Sequence, residues 1–168
     1  IYANQLSLTT VMARIERLYF PFHSALAALI EETEAQFGFA VLIDCHSMPS
    51  TAAVAGGGAR PDIVIGDRYG ASCDPNFARA VRDAFLRAGY DVQMNRPYAG
   101  GYITEHHGKP TRGIHALQIE INRGLYLDER RLVASKGFSG LKADLETIFQ
   151  GLISSAHEMF GPYRAAAE

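Results

Sequence analysis

Apolar residues recur at helical spacing from Thr9 to Phe37, with Val11, Ile15, Leu18 and Tyr19 on one stripe and Leu26, Leu29 and Ile30 on the next. The pattern predicts a helical region that Pro21, which lacks a backbone N–H, kinks or divides in two. Gly38 stands where a helix stop belongs, and FAVLIDC after it is a short β-branched and apolar run that reads as a buried strand. His46 then falls at the strand's C-terminal end. SMPSTAAVAGGGARP is small, glycine-rich and bounded by prolines, a loop or lid, and PDIVIGD is a second strand. Asp74 and Pro75 look like an N-cap and first helical position, from which Phe77, Val81, Phe85 and Leu86 continue an amphipathic helix to a stop at Gly89. DVQMN is a third strand, and Arg96 to Gly113, with Gly100, Gly101, Gly108 and two prolines, is loop-like. HALQIEIN alternates as a fourth strand, and Leu141, Leu145, Ile148, Phe149, Leu152 and Ile153 line a last helix. Strands alternating with helices imply a layered α/β fold, and no internal repeat points to a solenoid.

Composition narrows the class. With 168 residues, nearly half of them apolar, the chain suits one well-buried domain over 1–168. Its net charge of −2 comes from scattered, nearly balanced acids and bases, which argues against nucleic acid as a partner. No apolar run reaches the roughly 18–20 residues of a membrane span and the N-terminus carries no signal-like segment, so no membrane association and a cytoplasmic location are expected. Cys45 and Cys73 are too few for a disulfide framework and lack zinc-site pairing, and both are expected to be reduced. The chain opens at Ile1, already close to a helix, and is expected to be a fragment.

Alternation along a strand places Asp44 and His46 on one side and Cys45 on the other. Such a histidine is either a metal ligand whose second nitrogen a carboxylate holds, or a residue that merely ends a strand. In QIEIN, Gln118, Glu120 and Asn122 share the face opposite Ile119 and Ile121. A carboxylate in an apolar strand has a perturbed pKa suited to a general base, or else it pairs with Arg123 or Arg112 at the sheet edge. NRPYAGGYITEHHGKPTRG gathers Asn95, Arg96, Tyr98, Tyr102, His106, His107 and Arg112 in a flexible setting, where arginine forks could grip carboxylates. His106 and His107 are neighbours and point apart if the segment is extended, so one of them at most faces a given site, and a solvated loop is the alternative. Ser47 and Cys45 lack the G-x-S-x-G elbow of a nucleophile, and Gly56 to Gly58 lack the lysine and helix of a phosphate cradle.

In order, LIDCHSMPS, PDIVIGDRYGASC, NRPYAGGYIT and HALQIEINRGLY resemble the N-formylglutamate amidohydrolase family over nearly the whole chain, and RIERLYFPFHSAL resembles the family's segment before DCHS. Such proteins are similar in fold to zinc carboxypeptidases and aspartoacylases. The resemblance implies a three-layer α/β/α architecture with a mixed, mainly parallel sheet, here lacking its N-terminal part. It implies a mononuclear zinc site with His46 as the later ligand and Glu120 as general base and then proton donor. Tyr102 is the preferred auxiliary donor, with Asn95, Arg96, Arg112 and Arg123 as substrate-binding candidates. The implied reaction hydrolyses N-formyl-L-glutamate, or a related N-acyl amino acid, to formate and L-glutamate, as in histidine degradation. The family's early His and Glu ligands and its Asn-Arg pair have no counterpart before His46, where His23 and Glu16 lie seven positions apart on the leading helices. The expectation is an omitted N-terminal segment, with weak or absent zinc binding by this chain. A degenerate carboxylate-binding homologue and an aspartoacylase-like or peptidase-like amidohydrolase are the alternatives.

Overall fold

The computed structural model describes residues 2, 4–51 and 60–161, so most of the glycine-rich stretch read as a loop or lid lies outside the described residues. The leading helical region is α1 (Leu8–Arg14), a π-helical turn at Ile15–Tyr19, and α2 (Phe20–Phe37). The break thus precedes Pro21. Widening the turn before it keeps the carbonyl four residues back away from the proline ring, and the α-helix resumes with Pro21 in its first turn. Gly38 closes α2 in the left-handed region, at φ 80°.

Four strands, β1 (Ala40–Met48), β2 (Ile63–Gly66), β3 (Val92–Met94) and β4 (Ile114–Asn122), form one sheet in the order β1-β4-β2-β3. β1 is parallel to β4 and β2 to β3, while β2 and β4 are antiparallel, a mixed and mainly parallel sheet. β1 continues two residues past His46, so this histidine sits within the paired strand.

α3 (Pro75–Arg87) starts as its cap predicts: the Asp74 carboxylate accepts the Asn76 and Phe77 N–H groups at 2.7 and 3.3 Å. The segment expected to be a loop holds α4 (Tyr102–His107) and a 3-10 turn at Pro110–Arg112. The Thr104 hydroxyl donates to the Gly101 carbonyl at 2.8 Å and secures the first turn of α4, which the flanking glycines conceal in the sequence. A two-stranded hairpin, β5 (Leu127–Asp128) with β6 (Val133–Ala134), leads to α5 (Phe138–Phe160).

One sheet face packs on α3 and α5 through Ile65, Phe77, Phe85, Leu117, Ile119 and Leu152. On the other, Ile30 and Leu26 of α2 cover Ala40, Leu42 and Ile114. Helices on both faces make the expected three layers. The even-numbered positions of β1 and β4 are therefore apolar under α2 and turn polar toward the strands' C-terminal ends, as Asp44, His46, Gln118 and Glu120. No helix among the described residues is long and apolar enough to cross a membrane.

His115 is buried at the start of α3, where its Nδ1 accepts the Asp74 N–H at 3.2 Å and its ring stacks on Phe160 at 4.0 Å. Burial holds its pKa below the ordinary histidine value, against the pull of Asp74. The unfolded chain therefore takes up this proton first, so the contribution is complete above about pH 6.5 and is lost as pH falls below it. His115→Gln is expected to flatten the fall in urea stability between about pH 6.5 and 5. An unchanged slope would assign that fall to other groups.

Candidate active site

The parallel register sets Asp44 beside Gln118 and His46 beside Glu120. Their side chains share one face and form a chain of polar contacts. His46 Nε2 lies 3.0 Å from Asp44 Oδ2, and its Nδ1 lies 3.9 Å from Glu120 Oε1. Gln118 Nε2 donates to Glu120 Oε1 at 2.8 Å, and Gln118 Oε1 accepts the Gly101 N–H at 2.9 Å. The Glu120 side chain is only 9% exposed, whereas that of His46 is 46% exposed, so the histidine stands at the entrance and the carboxylate behind it.

Burial pushes the Glu120 pKa up, and nearby Asp44 adds to the rise. His46, the Gln118 hydrogen bond and Arg123 pull it down without cancelling the shift. The result is a carboxylate that is easier to protonate than usual, held by one oxygen. Arg123, just beyond β4, donates from Nε and Nη2 to the Ser47 hydroxyl and carbonyl, both at 3.2 Å, and this fixes the arginine beside the strand ends.

The remaining candidates are less close. The Tyr102 hydroxyl meets His106 Nδ1 at 3.3 Å rather than His46 or Glu120, and its ring lies 5.3 Å from that of His23. Asn95 is buried and serves a turn: its Oδ1 accepts the Asp67 and Tyr69 N–H groups at 3.1 and 3.3 Å, and its Nδ2 donates to Asp67 Oδ1 at 2.7 Å. Arg96 is exposed beside it. Arg112 is exposed at the opposite end of β4, whose run from Ile114 to Glu120 spans about 20 Å. His106 is exposed while His107 is buried under α2, its pKa lowered by burial and by His106, His23 and Lys109. Sequence reading passed over the supporting parts of the site, Gly101 and the amide of Gln118, although alternation in QIEIN already put Gln118 on the right face.

A groove of about 340 Å³ also opens beside His46, but Ile121, Leu145 and Phe149 give it apolar walls on the core side of the sheet, away from Glu120. Lys142 and Glu146 of α5, at its rim, are exposed and pair with each other at 3.5 Å.

The donor chemistry of His46 suits a metal ligand, since Asp44 can hold one imidazole N–H and leave the other nitrogen free. Catalytic zinc takes three protein ligands. Among the described residues no three His, Cys, Asp or Glu side chains converge as a metal site, so these residues do not by themselves build that centre.

The same fold and sequence pattern recur in known proteins. An N-formylglutamate deformylase of Pseudomonas aeruginosa is 30% identical over 152 residues, covering 89% of this chain and 57% of its own length. That of Pseudomonas putida is 36% identical over 116 residues, covering 68% of this chain and 43% of its own. The crystal structure of N-formylglutamate amidohydrolase from Ralstonia eutropha superimposes with a TM-score of 0.89 at 32% identity, over 94% of this chain and 58% of that one. A gene product of Agrobacterium tumefaciens shares the fold, with a TM-score of 0.66 at 23% identity, over 90% of this chain and 56% of that one. The chain thus spans about half the length of the curated relatives it matches. Residues 1–127 match the family model described as N-formylglutamate amidohydrolase, and with these relatives the match shows that the chain belongs to that family.

Proposed function

We propose that the chain carries the general-base part of an active site that hydrolyses the amide of N-formyl-L-glutamate, or of a related N-acyl amino acid. The observation that carries this reading is Glu120: a buried carboxylate with a raised pKa, held at one oxygen by Gln118, behind an accessible imidazole. The deformylase names of the two Pseudomonas relatives supply the substrate. In this reading Glu120 takes a proton from water as the water oxygen bonds to the formyl carbon. The C–N bond then breaks, and Glu120 returns the proton to the leaving nitrogen, giving formate and the free amine. Arg123, fixed close to Glu120, holds the carboxylate next to the reacting amide. Tyr102 would serve as auxiliary donor after exchanging His106 for the substrate.

Zinc belongs to the same proposal, with His46 as one ligand and the others not among the described residues. Zinc titrated into this chain is expected to bind weakly. His46→Ala should remove that binding, and Asp44→Asn should weaken it roughly 10–100-fold by freeing the ring. Tight zinc binding that survives His46→Ala would sink the assignment. The function itself is tested by formate release from N-formyl-L-glutamate with zinc supplied. Saturable binding of the substrate without any formate would replace the hydrolase with a carboxylate-binding protein.

A further inference from the structure

The turn after β2 is held in an unfavourable shape by a dense set of bonds. Arg68 and Tyr69 follow one another at φ 54° and 57°, and Asn95 facing them is at φ 60°. Side chains with a Cβ rarely adopt this region, and when a structure enforces it the reason is often a ligand site. Enforcement is plain here: the buried Asn95 amide ties Asp67 and Tyr69, the Arg68 N–H donates to Ala99 O at 2.8 Å, and the Gly70 N–H donates to Asp67 O at 3.2 Å.

What this turn presents is a guanidinium. The Arg68 side chain passes Gly100, where a Cβ would come within 3.2 Å of its Cγ, on the same short loop whose Gly101 N–H holds Gln118. Its carboxylate partner among the described residues is Glu105 of α4, at 2.9 Å and 59% exposed. Such an exposed pair is easily exchanged, and a guanidinium fork offers a ligand carboxylate two parallel hydrogen bonds.

Gly66, the last residue of β2, pairs with Gln118, two strand positions from Glu120, and Arg68 follows two residues later in the turn, so its backbone lies at most about 15 Å from that of Glu120. An extended arginine side chain and a five-carbon diacid together cover that gap. We propose that Arg68 binds the side-chain carboxylate of an acidic N-acyl amino acid, displacing Glu105, and so sets the preference for a dicarboxylate. The inference rests on the hydrolase reading, which places the reacting amide at Glu120 and its neighbouring carboxylate at Arg123.

The test is calorimetric titration of the protein with glutarate and with its monoamide, glutaramate, as probes. Wild type is expected to prefer the diacid at least tenfold, about the worth of one charge-assisted hydrogen bond. Arg68→Met should erase the preference, Arg68→Lys should keep part of it, and Glu105→Gln should tighten glutarate binding by removing the competitor. If Arg68→Met lowers only thermal stability and keeps the preference, Arg68 is a structural clip and the proposal is overturned. A wild type that treats the two probes alike overturns it as well. Formate release from N-formyl-L-glutamate, assayed in parallel, separates the two readings. A protein that selects the diacid without releasing formate loses the hydrolase function and keeps the Arg68 site. One that releases formate with KM unmoved by Arg68→Met loses Arg68 alone.

Discussion

Glu120→Gln is expected to lower formate release from N-formyl-L-glutamate by roughly 10²–10⁴-fold, the usual contribution of a positioned acid–base group. The substitution is nearly isosteric, and a glutamine at this position still accepts the Gln118 hydrogen bond that Glu120 Oε1 accepts now. What it removes is the ability to take and return a proton. A fall in kcat with little change in KM is the signature to look for, because Glu120 acts on the water and not on the substrate's carboxylates. Stability should move the other way. A raised carboxyl pKa means that the folded state favours the neutral form, so the ionised group weakens the fold at neutral pH and the neutral amide does not. The variant should therefore unfold no earlier than wild type in urea at pH 7. The acid limb of the rate profile, shifted above the ordinary carboxylate range in wild type, should vanish with the substitution. Wild-type turnover in the variant would remove Glu120 from the mechanism.

Alternation and caps were legible because they are local. QIEIN and LIDCHSMPS each put polar residues on one strand face, and the parallel register of β1 and β4 then aligned the two polar sets. Asp74-Pro75 marked the start of α3 in the same way. What stayed hidden depends on contacts between distant segments. Nothing in DRYGASC announces that Arg68 and Tyr69 adopt positive φ, since Asn95, 26 residues beyond Tyr69, enforces it. By the same token Asn95 reads as a loop amide free for substrate, while its carbonyl oxygen is already committed to Asp67 and Tyr69. α4 escaped because glycines at both ends look like a loop, and its first turn is secured by one Thr104 hydroxyl.

Gly66→Ala tests how tightly the loop over the sheet controls the site. A Cβ at Gly66 would stand 2.6 Å from Ala99 C and from Gly100 N, and 2.8 Å from Ala99 O. These are backbone atoms, so no side chain can swing aside and the loop itself must lift. Ala99 O accepts the Arg68 N–H, and the next residues lead to Gly101, whose N–H holds Gln118 against Glu120. Lifting the loop therefore loosens both the base and the arginine proposed to select the substrate. Overpacking of this kind costs about 1–3 kcal/mol. A displacement near 1 Å in the groups that orient a reaction can cost about 10²-fold in rate. Gly38→Ala is the control, because its added Cβ meets nothing within 4 Å and only the backbone at φ 80° resists it, far from the polar end of β1. That change should destabilise by a similar amount, of order 1 kcal/mol, and leave the rate per folded molecule unchanged. Urea denaturation paired with kinetics on both variants separates the two effects. If Gly66→Ala keeps wild-type kcat at a stability matched to Gly38→Ala, the loop covers the sheet without organising Glu120, and Gln118 holds its position through the strand alone.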